Sequence, residues 1–376
     1  MLDAFSDLTT FLVRPLNYPL LMAPIAFAVG SVIGSLLNVC IYRLPLEKSI
    51  LWPSSRCLKC LHPIRAIDNL PLIGYLRLKG KCRHCGATFS SRYFWIEAFT
   101  GAVFAVACYY WLTRDQYRPT DPTELNYFLN VSKPALLLVW LHQMLFFCFL
   151  LVATFCDVDH QIIPLSVTIP GTIVGIVMSV FLPWPYPMNY PIMPQATYGG
   201  FGLAADSITI LPLSAQLWPF WLPTPQWAAP GTWQLGLATA IFGAAFGAGM
   251  MRAIRWVFSW GFGKEAMGLG DADIMMMIGA FLGWQACVLV LLFGVGFGVV
   301  YALGKFIINR GRELAFGPFL ALGALLVLWG PPFGFILGQK FFFDGLFIIG
   351  IVSLGTALAL VICFLIRTVR LIRLAA

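Results

Sequence analysis

The chain has 376 residues, of which 60% are hydrophobic and only 11% charged, with a mean hydropathy of +0.83. A soluble domain carries about 25% charged residues, so this composition excludes a soluble globular fold and points to a polytopic membrane protein. The net charge is +8, and the way it is distributed says more than its sum.

The N-terminal stretch MLDAFSDLTTFLVRPLNYPL is mixed and partly acidic. It lacks the basic region and small-residue cleavage site of a secretory signal, so the first apolar segment, 20–42, is expected to stay as a span. Further spans are expected at 93–112, 134–155, 165–183, 235–259, 272–284, 286–304, 314–337 and 345–366. A crossing helix needs about 20 apolar residues. The segment 272–284 is too short to cross unaided and should be a tilted or partial helix leaning on its neighbours. The expected fold class is therefore an all-α polytopic membrane protein of about 8–9 transmembrane helices. The expected divisions are an N-terminal region and first span (1–44), a small insert (45–92) and a membrane domain (93–376).

Basic residues fall in clusters at 43–92, 252–264, 305–312 and 367–373, which hold 10, 3, 3 and 3 of the 24 Lys and Arg. By the positive-inside rule these face the cytoplasm. This is a blander and better explanation of the positive balance than a nucleic-acid footprint. The alternation places 113–133 and the long loop 184–234 outside. That loop contains no Lys or Arg and is rich in Pro and Trp (PWPYPMNYPIMP, WPFWLPTPQW). It is expected on the outer surface, with its aromatics at headgroup level. The turn at 156–164 and the stretch 260–270 fall inside.

The insert carries Cys57, Cys60, Cys82 and Cys85 as two CxxC pairs. Pairs so spaced present four thiolates to a tetrahedral Zn²⁺ ion. A small domain with few large apolar side chains needs a staple, and the cytoplasm disfavours disulfides, so structural zinc is the expectation. Four cysteine ligands leave no open position for catalysis. His62 and His84 read as surface polar residues. Cys40, Cys108, Cys148, Cys156, Cys287 and Cys363 stand at no ligand spacing and read as small core residues. The stretch 43–92 also holds ten basic residues against two acidic ones, Glu47 and Asp68, which favours contact with anionic lipid.

Ionisable residues at membrane depth are functional hypotheses by default. Two acidic motifs qualify: Asp157-Val158-Asp159-His160-Gln161-Ile162-Ile163-Pro164 and Gly268-Leu269-Gly270-Asp271-Ala272-Asp273. Charge topology puts both at the cytoplasmic edge. A pair of carboxylates about 3 Å apart cannot both ionise readily, so one stays protonated. Such a pair supports acid–base hydrolysis without a nucleophilic side chain. Each acid also has a plainer reading as a helix N-cap or a solvated turn residue. The residues alone leave open an ion-coupled transporter with an acidic cation site, or a proton relay.

The elements GSLLNVCIYRLP (34–45), CLKC…GKCRHC (57–85), SRYFWIE (91–97), DVDHQIIP (157–164), GLGD (268–271), IGAFLGW (278–284) and FGPFLALGA (316–324) occur in the order seen in type IV prepilin peptidases. The chain resembles that family from about 45 to 325. Its GxGD element is also similar to that of presenilin and signal peptide peptidase. The resemblance implies a bacterial inner-membrane aspartyl endopeptidase that removes the basic leader of type IV prepilins or type II secretion pseudopilins at the cytoplasmic face. It implies Asp157 and Asp271 as the catalytic pair. It also implies N-methylation of the new N-terminus from S-adenosylmethionine, with Gly80 connected to that transfer. DNLP (68–71) stands where the family has an ENIP-like element. Leu165 replaces a frequent Asp, and Asp273 a frequent Lys. Residues two apart on a helix point away from each other, so Asp273 is expected outside the pair.

Overall fold

The computed structural model describes residues 18–113, 133–182, 232–307 except 264 and 266, and 315–329, with isolated positions beyond these. Among the described residues every regular element is helical: α1 Tyr18–Arg43, α2 Arg92–Thr113, α3 Lys133–His160, α4 Leu165–Phe181, α5 Trp233–Phe262, α6 Gly270–Leu282, α7 Trp284–Ile307 and α8 Gly317–Trp329. Five stretches are long and apolar enough to cross a membrane: Leu21–Leu46, Arg92–Tyr110, Leu138–His160, Trp233–Phe262 and Ala286–Lys305. The apolar helices α4 and α8 are shorter. This is the architecture of a polytopic membrane protein. The expected span at 345–366 and the loop 184–234 fall almost wholly outside the described residues.

The chain divides into two compact units, Met1–Cys148 and Phe149–Ala376. In the first, α1 and α2 pack closely because small residues line their contact. A Cβ on Gly30 would come 2.7 Å from Phe104 Cβ, and one on Gly34 2.9 Å from Glu97 Cα. Close backbone approach of this kind is how helices gain contact where lipid removes any hydrophobic gain from association. The insert between them has short 3₁₀ turns at Leu44–Leu46 and Ala66–Asp68 and a brief helix, Ile73–Arg77. Arg43, the last residue of α1, fastens its beginning. Its Nη1 donates to Ser49 O and Ile50 O at 3.0 Å each, and its Nη2 to Pro53 O at 2.7 Å.

The second unit is built around α6. Thirteen residues rise about 20 Å, short of the roughly 30 Å of hydrocarbon. The sequence expectation of a helix supported by neighbours describes it well. Ala272, Ile274, Met275 and everything from Met277 to Leu282 are buried. On one side, a Cβ at Gly243 of α5 would overlap the Gly279 carbonyl oxygen, and a Cβ at Gly279 would overlap that of Gly243. On the other side, Gly175 of α4 lies under Phe281, and Ser179 Oγ donates to Ala280 O at 3.3 Å. With one flank held by backbone-to-backbone contact and the other by side-chain packing and a hydrogen bond, the second half of α6 has little freedom to shift.

Candidate functional site

The first cluster is the acid site in the second unit. Helix α3 ends just after Asp157. Gln161 takes a left-handed φ of 55° and its N–H donates to Asp157 O at 2.9 Å, an αL-type stop. Pro164 then starts α4 from extended backbone. The Asp157 side chain is buried, at 7% exposure, and its Oδ2 accepts the Gly317 N–H at 2.9 Å. Asp271 stands in the first turn of α6, close enough for the Asp157 charge to act on it. Ile163 packs between the two helix starts. A Cβ on Gly270 would lie 3.0 Å from Ile163 Cβ, and one on Gly317 would lie 3.0 Å from Ile163 Cδ1 and 2.7 Å from Asp157 Oδ2. Three chain segments therefore converge, each arriving with a glycine or at a helix end.

The rival acids are placed apart from this pair. Asp159 is exposed. Asp273 turns to Arg252 on α5, whose Nη2 lies 3.3 Å from its Oδ1. Sequence reasoning did not identify Gly317 as a site residue. Its only signal is its place before Pro318, at the N-terminal edge of an apolar helix where an unpaired N–H is available.

The second cluster is the cysteine site in the first unit. The sulfurs of Cys57, Cys60, Cys82 and Cys85 all lie within 4.8 Å of one another. Cys57 Sγ is 3.7 Å from Cys85 Sγ, and Cys60 Sγ 3.9 Å from Cys82 Sγ. A tetrahedral ion with Zn–S bonds of about 2.3 Å separates its sulfurs by about 3.8 Å, so the donor set fits zinc. Two matching turns hold it. Leu61 N donates to Cys57 O at 2.9 Å, and Gly86 N to Cys82 O at 3.0 Å. Bridges pair Arg56 with Pro63 and Lys81 with Thr88. Backbone N–H groups of Cys60 and Lys59 point at the Cys57 sulfur and bring its pKa down to about 6, toward the thiolate a metal needs. His62 and His84 stack beside the cluster, ring centroids 3.6 Å apart.

Around the cluster, Asp68 is clamped by Arg83, Nε at 2.8 Å and Nη2 at 2.5 Å, and by Arg77 at 3.3 Å. The Arg83 hydrogen bond holds the Asp68 carboxyl below the usual carboxylate range. Gly80, the residue that the resemblance connects to methyl transfer, has φ +68° and lies under Tyr75, with the Tyr75 hydroxyl 2.8 Å from where a Cβ would stand.

Two family models match the chain: the bacterial peptidase A24 N-terminal domain over 28–111, and the type IV leader peptidase family over 144–303. The chain belongs to the type IV leader peptidase family. The N-terminal match contains all four cysteines, and the second contains Asp157 and Asp271; Gly317 lies beyond both. Three similar proteins carry the name prepilin leader peptidase/N-methyltransferase. The one from Dichelobacter nodosus is 27% identical over 85% of this chain and 97% of its own length. The one from Myxococcus xanthus is 32% identical over 75% of this chain and 63% of its own length. The one from Pseudomonas aeruginosa is 26% identical over 84% of this chain and 92% of its own length. No solved structure matches the chain.

Proposed function

We propose that this protein is a prepilin leader peptidase and N-methyltransferase of the bacterial inner membrane, with Asp157 and Asp271 as its catalytic pair. The observation that carries the peptidase reading is the meeting of these two acids. They lie far apart in sequence, yet Asp157 accepts the Gly317 N–H, and Ile163 packs against both Gly317 and Gly270, the residue before Asp271. In this pair one carboxylate takes a proton from water as the water oxygen attacks the scissile carbonyl. The other, protonated, donates to the carbonyl oxygen. Collapse of the tetrahedral species breaks the C–N bond, and the amine leaves with a proton. The Gly317 N–H fixes the Asp157 carboxyl so that neither acid must reorganise during the reaction.

The substrate class is a prepilin or pseudopilin, itself a membrane helix with a basic cytoplasmic leader, which brings its scissile bond to headgroup depth. On this reading the acid site faces the cytoplasm, in a protein of about 8–9 spans. Residues 45–92 form the zinc-binding insert, with Cys57, Cys60, Cys82 and Cys85 as structural ligands. The ten basic residues of 43–92 against two acidic ones suit anionic lipid. When bound, the methyl donor S-adenosylmethionine supplies a sulfonium-activated methyl group. That methyl would pass to the new substrate amine as the sulfonium C–S bond breaks, leaving S-adenosylhomocysteine, and the amine would release a proton. Family membership removes the ground for the ion-coupled transporter.

The test is in vitro processing of a cognate prepilin by protein purified in lipid. Asp157→Asn and Asp271→Asn should each lower cleavage by about 10²–10⁴-fold while the chain still inserts. Normal processing by both variants would sink the assignment.

A further inference from the structure

Helix α1 has 26 residues and so rises about 39 Å, more than the roughly 30 Å of hydrocarbon. Its last turn, with Tyr42 and Arg43, therefore stands at headgroup depth. The chain that follows doubles back over this end. The Lys48 N–H donates to Arg43 O at 3.0 Å, and Lys48 Nζ lies 5.9 Å from the centre of the Tyr42 ring. The Arg43 guanidinium then gathers the carbonyls of Ser49, Ile50 and Pro53, and the Trp52 N–H donates to Ser49 Oγ at 3.3 Å. One side chain at the end of a spanning helix thus holds residues 49–53 at the depth of that end. Helix α2 is registered to the same level, because Asn38 Nδ2 of α1 donates to Tyr93 O in its first turn at 3.2 Å.

The loop so fixed turns its apolar side chains outward. Leu51 is 90% exposed and Trp52 77%. A single exposed apolar residue needs no explanation, but these two are adjacent, at the tip of a clamped turn. Exposed cations flank them, Lys48 before and Arg56 after. Tyr42, Tyr93 and Trp95 are exposed at the same level. Tyr and Trp at the ends of spanning helices make up the interfacial aromatic belt, and Trp52 extends that belt from the helices into the insert.

We propose that Leu51 and Trp52 form a membrane anchor, a wedge that enters the headgroup–acyl boundary of an anionic lipid leaflet while Lys48 and Arg56 meet its phosphates. The inference rests on the reading that 43–92 suits anionic lipid, and it goes beyond net charge by naming the segment that enters the bilayer. Trp52 sets its ring body toward the acyl chains and its Nε1–H toward the headgroups. Leu51 has no polar part and gains by leaving water altogether. The flanking Lys and Arg lay their apolar stems along the boundary and keep their charges outside it. Arg43 spends its donors on three loop carbonyls, so it shapes the wedge instead of binding lipid. The loop is preorganised, and little ordering entropy opposes its entry. The insert is then held twice: to α2 by the Leu72 N–H on Glu97 Oε2 at 2.8 Å, and to the bilayer by the wedge.

The experiment uses the full chain in nanodiscs of phosphatidylcholine, with and without phosphatidylglycerol. A benzophenone side chain placed at position 52 should, on irradiation, give adducts of phospholipid mass on the peptide that contains it. Adducts to a second copy or to another segment of this chain overturn the proposal, and so does the absence of any adduct. Hydrogen exchange at residues 49–52 is the second readout. The double variant Leu51→Ser and Trp52→Ser should exchange there about tenfold faster or more with its zinc content unchanged; a wild-type rate overturns the wedge. Lys48→Gln with Arg56→Gln tests the charge separately. Wild type should exchange more slowly on anionic than on neutral discs, by about fivefold for each cation that meets the surface, and this variant should lose the difference while keeping its lipid adduct. If wild type shows no such difference and the adduct still forms, the anionic-lipid reading of 43–92 falls and the apolar wedge stands.

Discussion

The cysteine cluster and the acid site are organised in opposite ways. Each half of the cysteine cluster closes within one turn. Cys57 and Cys60 are joined by the Leu61 N–H to Cys57 O bond, and Cys82 and Cys85 by the equivalent Gly86 bond. The acid site has no such local closure. A hydrogen bond between segments joins Gly317 to Asp157 across 160 residues. Its geometry is inherited from helices that touch through glycine. Local turns bring ligands together and leave the ion to complete the packing. A membrane-buried site needs the whole bundle in place before two distant carboxyls can interact.

This contrast predicts where each site breaks. The largest effect belongs to the metal. Cys57→Ser or Cys82→Ser should abolish stoichiometric zinc, since structural zinc supplies about 10–16 kcal/mol in comparable peptides. Metal analysis with limited proteolysis should show zinc lost and residues 45–92 cut rapidly. Retention of one ion per chain in either variant would contradict the four-sulfur assignment. Next is Gly317→Ala. Its Cβ would stand 2.7 Å from Asp157 Oδ2, so the carboxyl must move. Misplacement of a reacting group by about 1 Å costs on the order of 10²-fold in rate. Prepilin processing should fall by that amount with zinc content unaltered. A wild-type rate would show that the Gly317 contact does not position the acid.

The same contrast explains what could be read from the sequence. CxxC spacing is a local code for a local structure, so the clustering of the four cysteines was legible from spacing alone. The convergence of Asp157 and Asp271 was legible only through charge topology and resemblance, because nothing in either motif encodes the other. The partnership of Gly317 was not legible. Its backbone N–H carries no residue-specific signal, and its role arises only when α8 and the end of α3 meet. The short α6 was recognised as dependent on neighbours, since 272–284 lacks the length to cross. The mutual contact of Gly243 with Gly279 that supports it is a property of packing, invisible in either segment. Cys287 was read as a small core residue, and it is fully buried, its Sγ 3.4 Å from Gly283 O.

Smaller effects sharpen the boundary of the acid site. Asp273, its side chain 13% exposed, faces the half-exposed Arg252 at 3.3 Å, and a pair open to solvent on its Arg side is worth about 1 kcal/mol. Asp273→Asn should therefore leave cleavage within roughly fivefold of wild type, as should Asp159→Asn. A loss from Asp273→Asn as large as that from Asp271→Asn, in the same processing assay, would place the second acid inside the site.

The smallest effect lies in the two cysteine turns, which differ at one equivalent position. After its second cysteine each turn enters left-handed backbone, with Leu61 at φ 56° in one and Gly86 at φ 67° in the other. A side chain in this conformation costs about 1–2 kcal/mol, while glycine gives back part of that through greater freedom in the unfolded chain, about 0.5–1 kcal/mol. Leu61 is 63% exposed, so little packing is lost with it. Leu61→Gly should stabilise the metal-loaded insert by up to about 1 kcal/mol, and Gly86→Leu should destabilise it by a similar amount. Hydrogen exchange of the Cys57 and Cys82 amides would register both. Shifts of the same sign in the two variants would mean that the turns are not equivalent, and that the second pair relies on something other than its own backbone to present its sulfurs.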